Sequence, residues 1–231
     1  MKKITNIIIY SLVILTMGLH NIHAQAKINQ FNSKGERIGL WKKKYNNGRI
    51  RYIGQFENGK EVGTFRYYSA KNSKFPIVIK TFIRGTNLAK VKFYTEEGVL
   101  ESKGEMEGKK RSGKWVYYNT DGKSILSEES YMNGLLNGEA KTYYASGKIT
   151  EILNYRNGKL HGNIKRFADN GNLLDDLNYV DGKLQGSAKY YNLQGQLIYS
   201  GAYGNDERIG KWEYFENGKP IDSIKLKQMH N

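Results

Sequence analysis

Cysteine is absent from this 231-residue chain. The absence excludes a disulfide scaffold, a thiol nucleophile and anchoring through a lipid-modified N-terminal cysteine. Histidine is nearly absent too, with four in all. His20 and His23 lie in the apolar N-terminal segment, which leaves only His161 and His230 for acid–base work. No spacing of His or acidic residues resembles a zinc site or a calcium loop. The carboxylate pair Asp175-Asp176 is adjacent in sequence. Neighbouring strand residues point to opposite faces, so the two do not converge on one substrate. Neither an enzyme nor a cofactor site is expected. Proline occurs twice, and no apolar run after the first 20 or so residues is long enough to cross a bilayer.

Glycine and tyrosine, by contrast, are plentiful, at 26 and 18 residues. That composition suits many short strands joined by tight turns. The N-terminus differs in kind from the rest. Lys2 and Lys3 precede an apolar run from Ile4 to Leu19, and Ala24-Gln25-Ala26 supplies small residues for cleavage. This order is that of a secretory signal over residues 1–26, cut after Ala24, Gln25 or Ala26. It predicts an exported chain in the periplasm, on the outer-membrane surface or outside the cell.

Charge is unevenly spread. Residues 27–104 hold 17 Lys and Arg against 6 Asp and Glu, and residues 105–231 hold 18 against 16. A basic half invites an anionic partner.

An internal repeat organises everything from residue 27 to 219. Its anchors are Gly39, Gly63, Ala89, Gly113, Gly138, Gly162, Gly186 and Gly210, separated by 24, 26, 24, 25, 24, 24 and 24 residues. Two residues after each anchor stand Trp41, Phe65, Val91, Trp115, Ala140, Ile164, Ala188 and Trp212. Seven before it, from the second unit on, stand Phe56, Phe82, Met106, Tyr131, Tyr155, Tyr179 and Tyr203. Asn-Gly and Asp-Gly pairs mark two turns per unit, such as Asn157-Gly158 and Asn170-Gly171, and both turn residues tolerate positive φ. Apolar residues alternate between the turns, as in Leu173, Leu177 and Tyr179. Each unit therefore reads as a β-hairpin, and stacked hairpins share one apolar face.

Segments such as YRNGKLHGNIKRFADNGNL and MEGKKRSGKWVYYNTDGK resemble the MORN repeat in its bacterial variant form, over roughly residues 31–219. The resemblance implies an all-β fold: an elongated, twisted, single-layer antiparallel β-meander of eight tandem hairpin repeats. Residues 220–231 follow as a C-terminal capping segment. It further implies a scaffold, a lipid-associated protein or, as in many bacterial members, an antitoxin that neutralises a cognate toxin.

A binding face can be read from the same ruler. Three residues after the anchors stand Lys42, Arg66, Lys92, Lys141, Lys165 and Lys189, with Val116 and Glu213 in the remaining units. Five after them stand Lys44, Tyr68, Tyr94, Tyr118, Tyr143, Phe167, Tyr191 and Phe215. The two positions share a strand face, which sets a column of cations beside a column of rings and favours cation–π contacts between neighbours. Such a face suits a protein partner or an anionic lipid or glycan surface. Nucleic acid is not the expected partner of an exported chain.

Overall fold

The computed structural model describes residues 27–221. The expected signal segment and the tail 222–231 lie outside them. The described residues contain strands, turns and no helix, and hence none long and apolar enough to cross a membrane. Nineteen strands run from Gln30–Phe31 to Lys219–Pro220, each paired antiparallel with its neighbour in the chain, in one open sheet. Two strands are broken by one residue, at Asn137 between Leu135–Leu136 and Gly138–Tyr143 and at His161 between Lys159–Leu160 and Gly162–Phe167. The all-β meander of tandem hairpins expected from the sequence is the fold observed.

The two turns of each unit are chemically distinct. At the tip Asn157-Gly158, φ is positive at both residues, 51° and 81°. That is the type I′ geometry whose twist matches the flanking strands. Asn58, Asn133 and Asp181 behave alike. The closing turns differ: Gly48, Gly122 and Gly171 have positive φ but the residues before them do not. These are four-residue turns, closed for example by Tyr45 N–H to Arg49 O and Gly48 N–H to Tyr45 O. Asn217-Gly218, which follows the ruler of the closing turns, folds as a tip instead, with both φ values positive. Replacing Asn157 by Val should cost about 1–2 kcal/mol because a β-branched side chain is strained at positive φ, while Asn157→Gly should be near neutral. Chemical denaturation of the two variants separates these outcomes.

The anchor glycines are bulges. Their φ lies between 62° and 103° at all seven positions. At Gly63, Ile53 pairs with Arg66 while Gln55 pairs with Val62, so two extra residues bow out opposite Gly54. Ala89 has no positive φ, and its hairpin, from the Val78–Phe93 pair to the Phe82–Ala89 pair, is regular. The single non-glycine anchor thus marks the one unit without the bulge. A residue with a Cβ is disfavoured in the left-handed region that the bulge demands.

The bulge folds a large side chain down onto the sheet, and this gives a single layer its core. Trp115 and Phe65 are fully buried. The Trp115 ring lies on Gly104 of the preceding strand, where a Cβ would sit 2.4 Å from the ring. Gly54 under Phe65 and Gly201 under Trp212 repeat the arrangement. Rings seven residues before the anchors flank these slots, as Phe56 and Phe82 do at 5.2 and 5.6 Å from Phe65. In the units of Ile164 and Ala188 a leucine takes the glycine's place, Leu153 and Leu177, and the asparagine after it bonds across the hairpin. Asn154 Nδ2 donates to Asn163 O at 2.6 Å, and Asn178 Nδ2 to Ser187 O at 2.9 Å.

Candidate binding face

The opposite side of the sheet carries the cations three residues after the anchors. Cross-strand pairing joins them into one row: Lys42, Ile53, Arg66, Ile79, Lys92, Lys103 and Val116 are successive neighbours on seven adjacent strands. At about 4.8 Å per strand the row spans roughly 29 Å. Arg66, Lys92 and Lys103 are exposed, Lys42 is half-buried, and the aliphatic members are half-buried. No acidic residue interrupts this stretch. Among the described residues none of its four cations enters an ion pair. Lys92 and Lys103 stand directly opposite each other, an arrangement that is unfavourable in the absence of a counter-charge.

Beyond Val116 the row continues as Glu128, Lys141, Ile152, Lys165, Asp176, Lys189, Ser200 and Glu213. Here carboxylates alternate with the lysines, and the charge is compensated within the sheet. Glu128 accepts from Lys114 Nζ at 2.8 Å and from the Tyr143 hydroxyl at 3.0 Å, and the Lys114 contact leads in holding its carboxyl below the usual range. Asp175 and Asp176 diverge as adjacent strand residues do: Asp175 binds Arg166 at 2.9 Å, whereas Asp176 accepts from Asn163 at 2.6 Å. His161 interrupts its strand and accepts from the Asp181 amide of the next tip at 3.3 Å.

The residues five after the anchors sit at a second irregularity, a register shift at the end of each first strand. Lys44 is exposed there, while Tyr68, Tyr94, Tyr118, Tyr143 and Tyr191 are half-buried. These rings stand opposite the first residue of the following strand, as in Tyr94–Leu100, Tyr118–Ile125 and Tyr191–Leu197. Tyr143 reaches Glu128, and Lys103 Nζ lies 5.4 Å over the Tyr118 ring, so the two columns do share a face.

The cation–π pairing nevertheless differs from the sequence expectation. None of Lys42, Arg66, Lys92, Lys141, Lys165 or Lys189 lies over a ring among the described residues. Arginines on the core side do so instead. Arg111 stacks 4.6 Å from Trp115, Arg208 4.2 Å from Trp212, and Arg37 3.9 Å from Phe56 and 5.7 Å from Trp41. Each arginine lies two residues before an anchor whose unit carries tryptophan. The units with Ala140, Ile164 and Ala188 have Leu136, Leu160 and Leu184 there. That co-variation was present in the sequence as a signal: a tryptophan ring needs a flat lid, whereas a small aliphatic residue needs bulk.

Burial also acts on the tyrosines of the core side. Tyr117 and Tyr190 are pushed well above the usual tyrosine range, first by burial and then by hydrogen bonds to Tyr131 and Tyr203 at 3.3 and 3.2 Å. Burial, followed by the Glu61 carboxylate, does the same to Tyr67. A hydroxyl that holds its proton when folded and loses it near pH 10 when unfolded stabilises the sheet below about pH 10 and loses that contribution as pH rises further. Phenolate absorbance should therefore titrate in two stages, the second coinciding with unfolding. Ionisation of all 18 tyrosines in one step on a folded sheet would contradict this.

The segments 37–58 and 136–157 each match the family model described as MORN repeat variant. The chain carries MORN-variant repeats at these two segments. The two matches fall on the first and fifth hairpin units, one with tryptophan and one with alanine two residues after the anchor, so both core solutions lie within the same repeat type. No curated protein matches the chain. MORN repeats are a non-catalytic family that serves binding and scaffolding.

Proposed function

We propose that this protein is an exported, non-enzymatic scaffold whose MORN-variant repeats bind an anionic envelope surface through their first four units. The observation that carries the reading is the row from Lys42 to Val116, in which unpaired cations are interspersed with half-buried aliphatic residues and no carboxylate intervenes. Charge attracts the sheet to phosphate, sulfate or carboxylate groups, and the aliphatic members favour a partner with apolar surface beside its charges. The last four units compensate their own charge and form the part of the scaffold free for a protein partner. The apolar segment at residues 4–19 supports a location beyond the inner membrane.

The test is binding of the mature chain to vesicles with and without anionic lipid, to anionic and neutral glycans, and to proteins of an envelope extract. Exposed charges are screened over roughly 8 Å at physiological ionic strength, so binding should weaken steeply with added salt. Equal affinity for neutral and anionic surfaces, or indifference to salt, would sink the electrostatic reading.

A further inference from the structure

The hairpin tips along one edge of the sheet are stitched to one another. The amides of Gly59, Gly134, Gly158, Gly182 and Asp206 donate to the carbonyls of Arg37, Arg111, Leu136, Leu160 and Leu184 at 2.8–3.0 Å. Each acceptor stands two residues before an anchor, and each donor belongs to the tip of the next hairpin. Three equivalent acceptors, Glu61 O, Asn87 O and Arg208 O, receive no turn amide among the described residues. The first two gaps border the unit anchored by Ala89, and the third lies in the last unit.

The local cause is visible in the backbone. Without the bulge, the hairpin Pro76–Phe82 and Leu88–Tyr94 is regular up to its tip, and the tip closes on itself through Ile83 N–H to Leu88 O and Thr86 N–H to Ile83 O. The following tip has positive φ at Gly108 but not at Lys109, so its amides are not aimed as those of an Asn-Gly tip are. A cleft of about 680 Å³ opens between Glu57, Lys60 and Glu61 on one wall and Phe82, Arg84 and Asn87 on the other. A second space of about 650 Å³ shares Lys60, Glu61, Phe82 and Asn87 with it and extends to Glu107 and Lys110. The two spaces adjoin along these shared residues.

We infer that this cleft is a socket for a β-turn of a partner protein, whose amides donate to Glu61 O and Asn87 O as the chain's own tips do to five neighbouring carbonyls. The unfilled acceptors are main-chain groups, and at five of the eight sites of this kind the partner is a turn amide. Phe82 supplies an apolar floor. The walls carry both Glu57, Glu61 and Glu107 and Lys60, Arg84 and Lys110, which complement a turn bearing both signs of charge, as the chain's own Asp181-Gly182-Lys183 does. The inference is independent of the basic face, which lies elsewhere on the sheet.

The probe is a cyclised peptide presenting Tyr-Val-Asp-Gly-Lys-Leu, the sequence of residues 179–184, titrated into isotope-labelled full chain. Saturable amide shifts are expected in Glu57–Gly63 and Phe82–Asn87 only. Asn87→Trp should fill the cleft and weaken binding at least tenfold. Lys60→Trp, on the facing wall, repeats the block if the first variant does not fold. Four results would each overturn the socket: no shifts at several millimolar peptide, shifts spread over the basic row, equal binding by a linear scrambled peptide, or undiminished binding by both blocked variants.

Discussion

Trp115→Ala should destabilise the sheet by about 3–5 kcal/mol, the range for removing a large buried aromatic. The ring is fully buried, donates from Nε1 to Glu105 O at 3.0 Å, and is covered by Arg111. Gly104→Ala should cost about 1–3 kcal/mol by the opposite route, overpacking, because the new methyl group would stand 2.4 Å from the same ring. The double variant is the sharper experiment. Once the ring is gone the methyl group at position 104 has space, so the combined loss should fall short of the sum by roughly 1 kcal/mol or more. Urea denaturation of the four proteins supplies the cycle. Losses that add to within about 0.5 kcal/mol would mean that the glycine is not there for the ring.

Lys42→Glu combined with Arg66→Glu should weaken attachment to anionic vesicles at least 30-fold. A basic residue near an anionic surface contributes about 1 kcal/mol, and two lost contributions multiply to roughly that factor before any repulsion from the new carboxylates. The matched control is Lys165→Glu with Lys189→Glu. Those lysines flank Asp176 in the same row, where the field is already compensated, so a several-fold effect at most is expected. Co-sedimentation at low and high salt, with folding checked by circular dichroism, measures both pairs. Equal losses from the two pairs would show that total charge, and not the uninterrupted stretch, governs binding.

Much of the scaffold was legible before any coordinates. The period, the hairpin units and the Asn-Gly tips follow from local chemistry, because positive φ and strand alternation are properties of a few consecutive residues. The anchor glycines stood out as a ruler, but their purpose did not. That Gly63 bows two residues outward depends on the register of Ile53 and Gln55 against a strand some ten residues away. The core side was equally hidden. The Arg37, Arg111 and Arg208 lids could have been found from their co-variation with tryptophan at fixed spacing. The cation column, read along each strand, suggested ring contacts that the fold assigns to these arginines.

The sequence by itself determined that this protein is a row of eight hairpins with a basic first half, because turn preference and side-chain alternation are local and repeat with the chain. Only the tertiary structure decided which residues become neighbours across strands. Cross-strand order turns Lys42, Arg66, Lys92 and Lys103 into one uncompensated row and gives Lys141, Lys165 and Lys189 carboxylate neighbours, although all seven are plain lysines or arginines in sequence. It also converts one substitution, alanine for glycine at position 89, into a missing bulge, two unstitched tips and a cleft. The physical reason is the same in each case: a side chain's charge and a residue's φ belong to it alone, but their counter-charges and hydrogen-bond partners are supplied by register.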